Sequence, residues 1–380
     1  MKKLHVFLAL VCMSAMVFAQ SKNLKNADSE LKRERLDRAL TAIKLAMEEP
    51  ANQSNAMAWI SQAKIYTAIA VTEKPQYKNL EPNPIPLAFQ SFRKAFSLNE
   101  DFTLLARQEI SVLAIEAYNS GVALYQEQRF SEAVEMFKIS VNTNAFNGDV
   151  DTLGMFSIAL SAYAAGDKTM AKEFYLKVVN LGADLSSAYI NLALIYIDEN
   201  DFANAGKYAD LVAERFSDDY MAMINAASIH LQIHNYERAS QILSGMAEQY
   251  ADNPVVFFAL GAAYAEIKMH KEAEQAYLRT LELQPDYFEA IFNLGVLHYN
   301  QGVEIRLEAD ELPMSEQKKY DELLEKANDM FRKAASMLEK ALKMQPNDID
   351  VMQILRGIYT NLGMMDKVNA INAEIERLSR

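Results

Sequence analysis

Cysteine is nearly absent from this chain: Cys12 is the only one in 380 residues. A single thiol builds neither a disulfide framework nor a cysteine-ligated metal centre. Glycine and proline are also scarce, at 12 and 9, while alanine, leucine, glutamate and methionine are plentiful. That balance favours helices over strands. Basic charge is in deficit, with 38 Lys and Arg against 51 Asp and Glu, a formal −13. Without a basic surface to displace counterions from phosphates, nucleic acid is not an expected partner. Beyond the first twenty residues no apolar run approaches the ~20 residues that a membrane-spanning helix needs. Catalytic signatures are missing too: there is no Gly-x-Gly-x-x-Gly, phosphate loop, nucleophile elbow or His-Glu-x-x-His. The expectation is therefore a non-enzymatic protein with no cofactor and no resident metal.

The first stretch, "MKKLHVFLALVCMSAMVFAQ", has the three parts of an export signal. Lys2 and Lys3 are basic, Val6 to Phe18 are apolar, and Val17 and Ala19 occupy the −3 and −1 positions before Gln20. The expected product is a periplasmic chain freed of residues 1–19, with secretion or outer-membrane association as alternatives. Cleavage would remove Cys12 and take the formal charge to −15. The triplet before Cys12, Ala9-Leu10-Val11, lacks the small residue normally found next to a lipidated cysteine.

With 51% hydrophobic residues the chain can bury a sizeable core, and its length suits two domains or one repeat array. Small and aromatic residues decide between these. In "NPVVFFALGAAYAEIKMHKEAEQAYLRTLELQPDY" they run Phe257, Leu260-Gly261, Tyr264, Ala273, Tyr277, Pro285. With Pro254 as position 1, equivalent units start at Thr152, Ser186, Tyr220 and Phe288, at a period of 34. Position 8 is then Ala159, Ala193, Ala227, Gly261 and Gly295, and position 20 is Ala171, Ala205, Ala239 and Ala273. Further units start near Ala114 and Ile349, and a degenerate one near Ala56.

This pattern resembles the tetratricopeptide repeat, and the plan of the chain resembles exported tetratricopeptide proteins of Bacteroidetes-type bacteria. The resemblance implies an all-α superhelical solenoid of about eight helix–turn–helix repeats. Small residues at positions 8 and 20 let the two helices of a repeat close on each other, and each repeat needs its neighbours to bury its apolar faces. The expected divisions are a lone capping helix and linker at 20–55, a degenerate first repeat at 56–113, and the array at 114–380. The first repeat carries a proline-rich connection, "TEKPQYKNLEPNPIP", which either covers the open end of the array or serves a function.

The resemblance also implies that positions 2, 5, 9 and 12 of each first helix face a concave groove. In the earlier repeats these include Tyr118, Val122 and Tyr125, then Phe156, Leu160 and Tyr163. Ile190, Leu194 and Ile197 follow, then Ile224 and Leu231, Phe258, and finally Phe292 and Tyr299. Position 6 carries Asn119, Asn191, Asn225 and Asn293, as in carboxylate-clamp relatives, but no lysine or arginine stands at the groove positions. A clamp for acidic tails is thus not expected. Other envelope proteins or peptides, held by apolar and aromatic contacts, are the expected partners. Two readings stay open: a groove free for a ligand, or one filled by the protein's own side chains. Homo-oligomerisation and a hydrolase with an unrecognised site are the rival functions.

Three smaller features complete the sequence. His230 and His234 lie one helical turn apart, but His230 falls at core position 11 and His234 at the turn, so packing explains both. Asn52-Gln53-Ser54 is formally a glycosylation sequon, and Asp151 is placed to cap a helix. In the sixth unit 27 residues, 303–329, are inserted at the hairpin turn. They predict a lengthened antiparallel helical arm with its tip at Leu312-Pro313, Ser315 capping the returning helix, and Leu307 facing Tyr320 while Val303 faces Leu324 or Ala327.

Overall fold

The computed structural model describes residues 21–380, so the expected export signal lies outside the described residues. All regular structure among the described residues is helical, and the chain divides into two units at Asp184 and Leu185.

Unit 1 opens with α1 (Lys22–Lys32), α2 (Leu36–Met47) and the single turn α3 (Pro50–Gln53). Then come α4 (Ala56–Ala70), α5 (Pro84–Leu98), a 3-10 turn (Glu100–Leu105), α6 (Arg107–Gln126), α7 (Phe130–Phe146), α8 (Thr152–Ala164) and α9 (Lys168–Asn180). The expected lone helix in 20–55 is instead a helical hairpin. Ala27 and Ala39, twelve residues apart, are both fully buried where α1 meets α2. They hold the positions 8 and 20 of a unit counted from residue 20. The helix expected from Ala114 starts at Arg107 instead, because Ile110 and Leu113 are themselves core residues.

The proline-rich connection between α4 and α5 is tied down. Tyr77 and Leu80 pack on the core of unit 1, Lys74 pairs with Glu34 at 2.6 Å, and Lys44 pairs with Glu81 at 3.3 Å. Covering the first hairpin is what those contacts accomplish. Asn52 is buried, and its Nδ2 donates to the Ala46 carbonyl at 2.7 Å, so the folded sequon offers no free amide.

Unit 2 continues with α10 (Ser186–Asp198), α11 (Phe202–Arg215), α12 (Tyr220–Gln232), α13 (Tyr236–Gln249), α14 (Pro254–Glu266) and α15 (His270–Leu283). The long pair α16 (Phe288–Asp310) and α17 (Gln317–Met344) precedes the last hairpin, α18 (Ile349–Asn361) and α19 (Met365–Leu378). Aspartate and asparagine start many of the first helices: Asp151 accepts from the Gly154 amide at 2.7 Å, Asp219 from the amides of Met221 and Ala222, and Asn253 from that of Val255.

Close approach inside each hairpin comes from the small residues. A Cβ on Gly121 would stand 2.7 Å from the Phe137 ring, and one on Gly261 would stand 2.7 Å from Tyr277. Seven of the hairpin turns share one backbone feature, a left-handed residue at position 15. It is Gln128 (φ 61), Gly166 (85), Asn200 (59), His234 (59), Lys268 (59) and Gly363 (72), with Glu34 (56) in the first hairpin. The chain needs this conformation to leave one helix and enter the next.

Gly302 occupies position 15 of the sixth unit and does not turn. It stays within α16, buried, where a Cβ would lie 2.8 Å from the Phe331 ring of α17. The helices therefore run on as a paired arm until Glu311, and Leu312-Pro313 lies in the bend. The arm's seam differs from the expected one. Leu307 is 58% exposed, while Gly302 and Ala309 on α16 and Leu323, Ala327 and Phe331 on α17 are buried. Gly302 and Ala309 are seven residues apart and so share a helix face, from which Leu307 is turned away. Ser315 sits in a short 3-10 turn (Met314–Glu316), and no side chain caps α17.

Candidate functional site

In unit 2 three pairs of first helices lie side by side, α10 with α12, α14 with α16, and α16 with α18. Within each pair the groove positions of the two helices are therefore presented together. Position 9 follows position 2 by seven residues and precedes position 13 by four, so all three share one helix face.

None of the fourteen expected groove residues is fully buried. Tyr118, Val122, Tyr125, Phe156, Leu160, Ile190, Leu194, Ile197, Ile224, Leu231, Phe258, Phe292 and Tyr299 are half-buried, and Tyr163 is exposed. Position 2 is more open still: Ile115 and Leu153 in unit 1 are 62% and 50% exposed, and Met221 and Val255 in unit 2 are 61% and 42% exposed. Such apolar exposure costs free energy unless something covers it, since burial contributes ~25 cal/mol per Å².

Several of the aromatics are already used internally on one side. In three hairpins an aromatic at position 5 packs at a tilt against the one at position 24: Tyr118 against Phe137 at 5.2 Å, Phe156 against Tyr175 at 5.8 Å, Phe258 against Tyr277 at 6.1 Å. Phe258 also stacks on Tyr287, Tyr125 meets Phe130 edge-on, and Tyr299 leans on Phe331. One side of these rings is thus fixed by the scaffold while the other meets solvent. Among the position-6 asparagines, Asn225 donates to the Met221 carbonyl at 2.6 Å within its own helix, while Asn119 is exposed.

Charge is sorted between helices in unit 2. α10, α12 and α14 hold no lysine or arginine, and α16 has none before Arg306. Their acidic residues include Asp198 and Glu266 at position 13 and Glu289 at position 2, all exposed. The cations Lys207, Arg215, Arg238, Lys271 and Arg279 stand on the second helices.

The buried histidines are packing residues. His230 is fully buried, with Nε2 3.3 Å from Asp210 Oδ1 but without hydrogen-bond alignment. His298, its counterpart at position 11, has Nε2 3.7 Å from Glu274 and Nδ1 3.4 Å from Gln301. Burial lowers the pKa of both rings, although each faces a carboxylate. His234 is the left-handed turn residue and meets the Tyr236 hydroxyl at 2.6 Å. Among the described residues no group of three or more His, Cys, Asp or Glu is placed to hold a metal, and no helix is long and apolar enough to cross a membrane.

One feature escaped the sequence reading. A cleft of about 600 Å³ opens between α17, α18 and α19, lined by Leu342, Met352, Leu355, Tyr359 and Ile371. Glu339 is held at its edge, accepting from Tyr359 Oη at 2.6 Å and from Lys367 Nζ at 2.8 Å. Those contacts keep the Glu339 carboxyl below the usual range, while burial and the same carboxylate push the Tyr359 hydroxyl up. The lining residues sit at ordinary core spacings, so nothing in their pattern announces a cleft.

Comparison with known proteins bears on the repeat itself. The tetratricopeptide repeat model matches residues 186–218 and 255–287, the hairpins α10–α11 and α14–α15. No curated protein matches the chain. Similar solved structures include a MamA protein at 16% identity and TM-score 0.40, covering 51% of this chain and 91% of that one. The C-terminal part of a TPR repeat-containing protein from Cytophaga hutchinsonii gives 16% and 0.47, covering 69% and 95%. YrrB, described as a TPR protein with an unusual peptide-binding site, gives 16% and 0.39, covering 53% and 96%. The two matched hairpins are thus tetratricopeptide repeats, and the same small residues and left-handed turn recur in hairpins of both units.

Proposed function

We propose that this protein is a non-enzymatic scaffold of the bacterial cell envelope, which holds a segment of another envelope protein against the first-helix faces of its repeats. Tetratricopeptide repeats support an interaction scaffold, and the periplasmic location rests on the sequence of residues 1–20. The observation that carries the binding reading is the exposure of apolar residues at position 2, Ile115 and Leu153 in unit 1 and Met221 and Val255 in unit 2. Covering three or four such side chains contributes ~1.5–3 kcal/mol each, enough for micromolar binding after association costs. Secretion, envelope assembly and stress survival are all processes that such an adaptor would serve.

Site-specific photocrosslinking in cells tests this reading. A crosslinker at Met221 or Val255 should trap a discrete partner from the envelope fraction, whereas one at Glu248 or Glu272, on second helices, should not. Equal trapping from both faces, or none from the first, would contradict it.

A further inference from the structure

The charge of the two units separates them. Residues 21–184 carry 20 Asp and Glu against 18 Lys and Arg, a formal −2. Residues 185–380 carry 31 against 18, a formal −13, so nearly all the acidity of the chain belongs to unit 2. There it is distributed by face. The first helices α10, α12, α14 and the opening turns of α16 present apolar side chains and carboxylates with no cation among them. Glu266 and Glu289 are exposed and share the helix face of the open residues Met221 and Val255. The only charged side chains on this face of α14 and the opening turns of α16 are thus carboxylates, Glu266 at one end and Glu289 at the other, beside apolar neighbours.

We propose that unit 2 takes a cationic amphipathic segment of a partner protein, with apolar residues along one side and lysine or arginine on its flanks. This rests on the binding reading above and specifies its occupant. Apolar side chains of the segment lie against Ile190, Leu194, Ile224, Leu231, Phe258 and Phe292. Its cations meet Glu266 and Glu289, on helices that hold no lysine or arginine before Arg306. A segment with acidic flanks meets like charge at Glu266 and Glu289 and is disfavoured, which is how complementary charge selects between partners of equal apolar content.

The test uses the full chain and two synthetic peptides of ~18 residues, about 27 Å as helices. Both carry leucine at the same i, i+3, i+4, i+7 positions, and lysine in one is replaced by glutamate in the other. Fluorescence anisotropy at low ionic strength should show the lysine peptide binding at least ~10-fold more tightly, with the gap narrowing as salt is added. In Glu266→Gln/Glu289→Gln that preference should fall, while in Glu248→Gln/Glu272→Gln, with the same charge removed from second helices, it should persist. Equal binding of the two peptides would overturn the charge inference and leave the apolar binding reading standing. Equal loss in both variants would also overturn it, since the attraction would then belong to the net charge and not to the face. Failure of both peptides to bind would remove the inference together with the reading on which it rests.

Discussion

Two neighbouring hairpins of unit 2, α14–α15 and α16–α17, share one register and end differently. In the first, position 15 is Lys268, left-handed at φ 59, and the chain turns straight into α15. In the second, position 15 is Gly302, helical and pressed against Phe331, and the pair runs on to a tip beyond Asp310. Glycine is the residue best suited to the left-handed turn, yet here its value is the absent Cβ. What sets the length of a hairpin is therefore the packing available beyond position 15. α16 and α17 supply Ala309, Leu323 and Ala327 there, and the regular hairpins have no counterpart.

Predictions follow from that contrast, beginning with the strongest. Phe331 is fully buried and touches both Gly302 and Tyr299, so Phe331→Ala should cost ~3–5 kcal/mol in urea unfolding. If the loss were well under 1 kcal/mol, the arm would not be packed as described. Gly302→Ala forces a methyl to within 2.8 Å of that same ring, and overpacking of this kind costs ~1–3 kcal/mol. Substituting Gly166 with alanine instead strains a turn with open space around it, so the two losses should have different origins: only the first should be relieved by pairing with Phe331→Leu. At Lys268 the sign reverses. Lys268→Gly removes a left-handed non-glycine residue and should stabilise by up to ~1 kcal/mol, measured as a higher urea midpoint.

A smaller effect concerns pH. His230 and His298 both have folded pKa values lowered by burial. The unfolded chain therefore takes up protons first as pH falls. The neutral rings' contribution is complete above about 6.5 and is lost as pH drops through that value toward the lower folded pKa values. Asp210 and Glu274, which face the rings, moderate the loss, while Arg238 and Lys333 add to it. A urea midpoint series from pH 7.5 to 5.5 should fall more steeply in the natural protein than in His230→Leu/His298→Leu. Parallel slopes would show that these rings are not the source.

The same residues explain what was legible. Where position 8 is small and positions 11 and 24 are large, as at Gly261, Tyr264 and Tyr277, the hairpin can be read from sequence. The first hairpin hid because position 11 is Glu30, not an aromatic. That carboxylate is buried and held by Arg33 at 3.1 Å and Arg35 at 3.6 Å, an ionic substitute for a ring. Ala27 and Ala39 carried the only signal, a spacing of twelve. The arm was legible as a hairpin, but its seam was not, because the bend and 3-10 turn at 311–316 shift every pairing counted from Pro313. The fourteen groove residues could be placed by register alone. Their half-burial could not, since it depends on how far position 24 of each hairpin covers position 5.

The central claim is that the first-helix face of unit 2 is a binding surface and not part of the core. The direct measurement pairs urea unfolding of Met221→Ser/Val255→Ser with its affinity for the lysine–leucine peptide. Stability should stay within ~0.5 kcal/mol of the natural protein, as for ordinary surface positions, while affinity falls at least ~10-fold. A marked loss of stability with affinity unchanged would contradict the account.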